Sequence, residues 1–166
     1  MILTIWRHGE AAPAVNDRLR QLTPRGERDV ARGAPALADL CQRRGVPAPD
    51  QLWFSEWQRT TQTAGLIATA LACDKRAERA LIPGASVAGV EHALAPLFAA
   101  ADGPAHLVLV SHQPLVSSLV DVLLGEHRAA PPHPPGGLVT LELSAPAAAC
   151  GRLLWWAFPP DFEAGA

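Results

Sequence analysis

The chain alternates short apolar runs with longer stretches in which apolar residues recur every three or four positions, and that alternation predicts its elements. Ile2-Leu3-Thr4-Ile5-Trp6 has the β-branched, apolar character of a short buried strand, with turn chemistry behind it at Gly9 and Pro13. Thr23-Pro24 reads as a helix cap followed by proline at the first helical position. Val30, Ala34, Leu37, Leu40 and Cys41 then keep helical spacing until Gly45 and Pro47 stop it. Leu52-Trp53-Phe54 is a second strand ending at Ser55, and Thr60, Ala64, Ile67, Ala68 and Leu71 mark a second amphipathic helix. Asp74 and Asp102 read as turn residues. Past the break at Pro83-Gly84, Ser86 is placed to cap a third helix with Val87, Val90, Leu94 and Leu97 on one face. His106 to Val110 is the clearest strand, continuous enough to be buried on both faces. A helix carrying Leu115, Leu119, Val122 and Leu123 follows it and stops near Gly125. Pro131 to Gly137 is a loop, because proline removes donors and fixes φ. Two strands, Leu138 to Leu143 and Arg152 to Phe158, complete the chain's elements.

Strands alternating with helices predict a layered α/β fold with a mainly parallel sheet, and a chain of 166 residues fits a single domain spanning 1–166. Composition narrows the function classes. An apolar fraction of 49% beside 18% charged residues suits a globular chain with a sizeable core. A net charge of −2 with no run of Lys or Arg speaks against a nucleic-acid partner. Cys41, Cys73 and Cys150 are odd in number and lack CxxC spacing, so free thiols in a reducing cytoplasm are expected instead of a zinc site or a disulfide framework. The apolar N-terminal run ends at Arg7, far too early for a signal peptide or a membrane span.

In open α/β sheets, sites form beyond the carboxyl ends of the strands. Three polar clusters fall there: Arg7-His8-Gly9-Glu10, Ser55 through Arg59, and Ser111-His112-Gln113-Pro114. Neighbouring parallel strands would bring two histidines and two arginines together. Such a set suits a phosphoryl group, whose oxygens planar guanidiniums bind in bidentate fashion. A neutral imidazole beside them is able to attack phosphorus, and the guanidinium charges favour its neutral form. No carboxylate cluster of the kind expected for magnesium is apparent.

With those residues in place, the chain resembles the histidine phosphatase superfamily, the group that includes phosphoglycerate mutases and histidine acid phosphatases. Arg7-His8-Gly9-Glu10 matches its signature after the first strand, Ser55 through Ala64 resembles its second motif, and Ser111-His112 resembles its third. Within the superfamily, Arg20-Gln21-Leu22-Thr23-Pro24-Arg25-Gly26 and His112-Gln113-Pro114-Leu115-Val116 resemble the SixA-type phosphohistidine phosphatases, although Gln21 replaces a proline of that subgroup. The likeness covers roughly residues 2–125. It implies a phosphoglycerate mutase-like three-layer α/β/α sandwich with helices on both faces of the sheet. It further implies His8 as nucleophile, Arg7, Arg59 and His112 as a phosphate pocket, Arg20 as a further phosphate-binding residue, and no metal or cofactor.

Mutase-type relatives carry a glutamate between the second and third motifs as general acid. Here only Glu78 and Glu91 lie between Arg59 and His112, and Glu91 sits within a predicted helix, where a solvated role is expected. A missing acid matters less when the leaving group is imidazole, which can depart already protonated. The 52 residues between Arg59 and His112 also leave no room for a large capping insertion. Both features favour phosphohistidine on a signalling or phosphotransfer protein as substrate. A small phosphate ester is the alternative, and a non-catalytic phosphoprotein-binding module the third reading. No membrane partner is expected. Glu10 either orients a pocket group or is a loop carboxylate, His92, His106, His127 and His133 are given no catalytic role, and Trp155-Trp156 is expected to place one ring in the core and one outside.

Overall fold

A computed structural model describes residues 1–165. Its elements follow the order β1 (Ile2–Arg7), α1 (Pro24–Arg44), β2 (Gln51–Phe54), α2 (Gln58–Leu71), β3 (Asp74–Ala77), α3 (Val87–Ala99), β4 (His106–Ser111), α4 (Leu115–Leu124), β5 (Leu138–Leu143), β6 (Gly151–Ala157) and β7 (Ala164–Gly165). A short 3-10 turn at Asp17–Leu19 interrupts the segment between β1 and α1.

The strands form one sheet in the order β3-β2-β4-β1-β5-β6-β7. The half from β3 to β1 is parallel, and β5, β6 and β7 extend it by antiparallel pairing. Alternation of side chains along the strands sends each face to a different helical layer. Leu3, Ile5, Trp53, Leu107 and Leu109 pack with Val90 and Leu94 of α3 and Leu115, Leu119 and Leu123 of α4. Trp6, Leu52, Phe54, Val108 and Val110 pack with Val30 and Leu37 of α1 and Ala64 and Ile67 of α2. The expected three layers with helices on both faces are present. Every residue of β4 is buried, as its unbroken apolar run requires.

The helix limits obey the expected punctuation. Thr23 accepts a hydrogen bond from the Gly26 amide, Pro24 opens α1, and Gly45 closes it at φ +67°. Ser86 likewise accepts from the Gly89 amide at the start of α3.

One expectation is corrected. Asp74 is not a turn residue but the first residue of β3, an edge strand parallel to β2. Asp74-Lys75-Arg76-Ala77 carries no apolar pattern because all four residues are exposed. Backbone pairing with β2 holds it, and Arg76 lies over the Trp53 ring at 3.9 Å. Charge on such an edge also discourages pairing with other chains. The two-residue β7 was not expected either, being too short to show a period.

Trp155 is buried and Trp156 is partly exposed, as their alternation along β6 demands. No helix among the described residues is long and apolar enough to cross a membrane.

Candidate active site

Register brings the three motifs together. Arg7 pairs with Ser111 across β1 and β4, while Phe54 of β2 pairs with Val110 of β4. The His8 amide donates to the Ser111 carbonyl at 3.0 Å and the Ser55 amide to the Val110 carbonyl at 3.1 Å, so all three strands end at one level. His8, Ser55 and His112 are the residues that follow. Arg59 reaches the same place from the first turn of α2.

His8 is buried, and its two ring nitrogens have different partners. Nδ1 lies 2.7 Å from the Gly9 carbonyl oxygen, which only accepts, so Nδ1 carries the proton. Nε2 then bears the lone pair, and Arg59 Nε donates to it at 3.1 Å. Burial, reinforced by the charges of Arg59 and Arg7, pushes the His8 pKa down to about 4, against the opposing effect of the Gly9 bond. The ring is therefore neutral at physiological pH.

His112 sits with its ring centroid 5.1 Å from that of His8. Its Nε2 shares a 2.9 Å hydrogen bond with the Ser55 hydroxyl, and its buried Nδ1 has no partner among the described residues. Burial, then the charges of His8 and Arg59, lowers its pKa to about 3. Trp57 meets the His112 ring edge-on at 5.6 Å and lies under the Arg59 guanidinium at 4.9 Å.

Arg7 donates from Nη1 to the His133 carbonyl at 2.9 Å, and its buried Nε is likewise without a partner among the described residues. The Pro-rich loop thus helps to build the site. The Gly136 amide contacts the Arg7 and His8 carbonyls at 3.2 and 3.0 Å, and the Arg7 amide donates to the Gly137 carbonyl at 2.9 Å. The polar residues of the second motif have structural work. Thr63 accepts from the Gly9 amide and donates to the Arg59 carbonyl, while the Thr60 hydroxyl contacts the Ser55 and Trp57 carbonyls.

Arg20 stands one contact further out than expected. It donates to the carbonyls of Ala12 and Ala11 at 2.9 and 2.8 Å and to the Asp17 carboxylate at 3.2 Å, with no hydrogen bond to His8, Arg7 or His112. Asp17 in turn binds Arg59, a link for which the sequence has no local signal. Glu10 accepts from the Thr23 hydroxyl at 2.8 Å and so braces the start of α1. Glu78 accepts from the Ala80 amide, and Glu91 lies on α3 without a side-chain hydrogen-bond partner among the described residues. His106 bonds Thr4 and the Pro47 carbonyl at the opposite ends of β1 and β4. No three His, Cys, Asp or Glu side chains among the described residues gather into a group able to hold a metal ion.

Two glycines allow the close approach of this loop to α1. A β-carbon on Gly26 would lie 2.2 Å from the Glu10 carbonyl oxygen, and one on Gly9 would lie 2.9 Å from the Gly26 carbonyl oxygen. Gly26→Ala forces backbone apart next to His8. A loss of about 1–3 kcal/mol is expected, read as a lower denaturant midpoint. An unchanged midpoint would show that the loop yields freely.

No protein-family model matches the sequence, and no curated protein matches it. Solved structures do. The protein histidine phosphatase SixA, complexed with tungstate, is 26% identical at a TM-score of 0.80, covering 96% of this chain and 97% of that one. A SixA protein from Agrobacterium tumefaciens is 25% identical at a TM-score of 0.73, covering 96% and 98%. A mycobacterial glucosyl-3-phosphoglycerate phosphatase shares the fold at 18% identity and a TM-score of 0.67, covering 92% and 96%. By fold and by motif the chain therefore resembles the histidine phosphatase superfamily, and its solved neighbours include SixA-type phosphohistidine phosphatases.

Proposed function

We propose that the protein is a metal-independent phosphatase that passes through a phosphohistidine on His8 and acts on phosphohistidine carried by a protein. The observation that carries this reading is the state of His8: proton on Nδ1 toward Gly9, lone pair on Nε2, and Arg59 donating to that lone pair. A neutral, oriented imidazole facing a guanidinium is a nucleophile aimed at an anionic electrophile.

In this reading a phosphoryl oxygen takes over the Arg59 Nε–H, and the Nε2 lone pair is freed to attack phosphorus. Arg7 Nε and His112 Nδ1, the two partnerless nitrogens of the site, are available to the remaining oxygens. The bond to the substrate's nitrogen breaks as the bond to Nε2 forms, and the substrate imidazole leaves with a proton. The Gly9 carbonyl stabilises the cationic His8 ring through its Nδ1–H. Water then attacks the phosphoenzyme, releasing phosphate and restoring neutral His8.

The substrate class rests on the leaving side. Among the described residues, neither glutamate between the second and third motifs hydrogen-bonds to His8, Arg59 or His112, which suits a leaving group that departs protonated. A cleft of about 220 Å³ beside His112, lined by Pro83, Val87, Pro114 and Leu115 among others, is below the ~300–1,000 Å³ usual for small-molecule sites. It fits the size of a side chain. That the SixA neighbour is described as a protein histidine phosphatase supports the same substrate.

The test is phosphate release by purified protein, in the presence of a chelator, from a histidine-phosphorylated protein and from a panel of small phosphate esters. Release from the phosphoprotein at a kcat/KM at least tenfold above the best ester is expected. Hydrolysis of the esters alone would remove the phosphohistidine reading and leave the superfamily chemistry standing.

A further inference from the structure

We infer that Asp17 is a positioning residue, which clasps the far edge of the Arg59 guanidinium so that its near edge is presented to His8. The inference rests on the phosphatase reading for its kinetic consequences, but its geometric content stands apart from it.

Arg59 is only 4% exposed, and its nitrogens are shared between two tasks. Nη1 donates to the Asp17 backbone carbonyl at 2.7 Å and Nη2 to the Asp17 carboxylate at 3.2 Å, while Nε is left for His8. A planar guanidinium gripped along one edge has its other edge fixed in direction as well. The Trp57 ring against its face removes the remaining freedom to tip. Among the described residues, Asp17 supplies the one carboxylate ion-paired with Arg59, and Arg7 has none.

Asp17 is itself held. Arg20 Nη1 donates to its other carboxylate oxygen at 3.2 Å, and Arg20 is anchored by the Ala11 and Ala12 carbonyls. Asn16 accepts from the Arg18 amide at the start of the 3-10 turn, and Arg18 pairs with Glu56 at 2.6 Å just before α2. The segment between β1 and α1 is thereby tied to the residue that α2 projects into the site. Desolvation works to raise the pKa of the largely exposed Asp17 carboxylate, but hydrogen bonds and charges from Arg20 and Arg59 hold it below its usual value, so the clasp is charged at neutral pH.

A carboxylate next to a phosphate-binding arginine weakens the local attraction for an anion. Its removal should therefore separate binding from turnover. In Asp17→Ala, kcat is expected to fall on the order of tenfold to a hundredfold, as small misplacements of a catalytic group do. KM and the Kd for inorganic phosphate should stay the same or fall. Asp17→Asn, whose amide oxygen still accepts from Nη2, should recover most of kcat. Independently of activity, the Arg59 Nε–H resonance of 15N-labelled wild type should be slow to exchange and should broaden or exchange rapidly in Asp17→Ala.

An unchanged kcat and an unchanged Arg59 resonance in Asp17→Ala would overturn the inference. So would a joint loss of kcat, phosphate affinity and thermal stability, which marks a merely structural residue. A wild type inactive on every phosphate compound would remove the phosphatase reading, and the Arg59 resonance would still decide the clasp.

Discussion

Replacing His8 by alanine is expected to lower phosphate release by on the order of 10³-fold or more, with inorganic phosphate still bound. The donors proposed to bind phosphate are Arg7, Arg59 and His112, none of which depends on the His8 ring for its backbone position. What disappears is the Nε2 lone pair that Arg59 now faces. In the wild type, acid-sensitive and alkali-stable phosphate should be trapped on the protein during turnover, and His8→Ala should trap none. The comparison is interpretable because the change removes a buried ring without breaking a strand. Denaturant unfolding of the variant checks that the fold persists. Equal turnover by the two proteins would sink the assignment of the nucleophile.

Acidification is expected to unfold this protein well before its carboxylates titrate. Four histidines, His8, His106, His112 and His133, are buried, and burial is the first cause of the lowered pKa of each. Their values fall to about 4, 4, 3 and 4, from an ordinary 6.5 in the unfolded chain. The sign follows from which state takes up the proton. Between pH 6.5 and about 4 the unfolded chain binds protons that the folded one refuses, so stability is full above 6.5 and is lost as pH falls through that window. Each histidine forfeits ~1.4 kcal/mol per pH unit in that range, hence about 2 kcal/mol by pH 5. Four together amount to several kcal/mol, comparable with the ~5–15 kcal/mol of an ordinary domain. The denaturant midpoint should drop steeply from pH 7 to pH 5. His133→Phe should flatten part of that slope, because His133 packs against Phe158 and neither of its ring nitrogens has a partner among the described residues. A midpoint constant across this range would contradict neutral burial of these rings.

The two expectations draw on different levels of the molecule. The candidate site was legible because Arg7-His8-Gly9-Glu10, the Ser55–Ala64 stretch and Ser111-His112 are local patterns, each placed at a strand end by hydrophobic periodicity. Burial of His106 was legible as part of the strand from His106 to Val110, but the hydrogen bonds that keep it neutral and the burial of His133 in a loop were not. His106 bonds Thr4 and the Pro47 carbonyl, and His133 is buried by the fold of the Pro-rich loop, whose composition carries no sign of a buried side chain. The charged strand β3 escaped for a related reason. Its stability comes from pairing with β2 and from the Trp53 ring, so no alternation of apolar residues marks it.

Arg20 shows the same divide within the site. A motif read as linear text places it near the phosphate pocket. In the folded chain its guanidinium donates to two carbonyls and Asp17, and its charge lowers the His8 pKa from a distance.

The order and kind of nearly all elements, the burial of β1 and β4, and the convergence of the candidate residues His8, Arg7, Arg59 and His112 could be read from the sequence. Those features follow from short-range rules: side-chain period, caps, turn residues and the spacing of motifs. Which nitrogen of His8 keeps its proton, which edge of Arg59 faces it, and the bonds from Asp17 and the Pro-rich loop to the two arginines emerge only on folding. Those are matters of hydrogen-bond geometry between segments far apart in the chain. A change of a few tenths of an ångström alters them, and no linear pattern encodes distances of that kind.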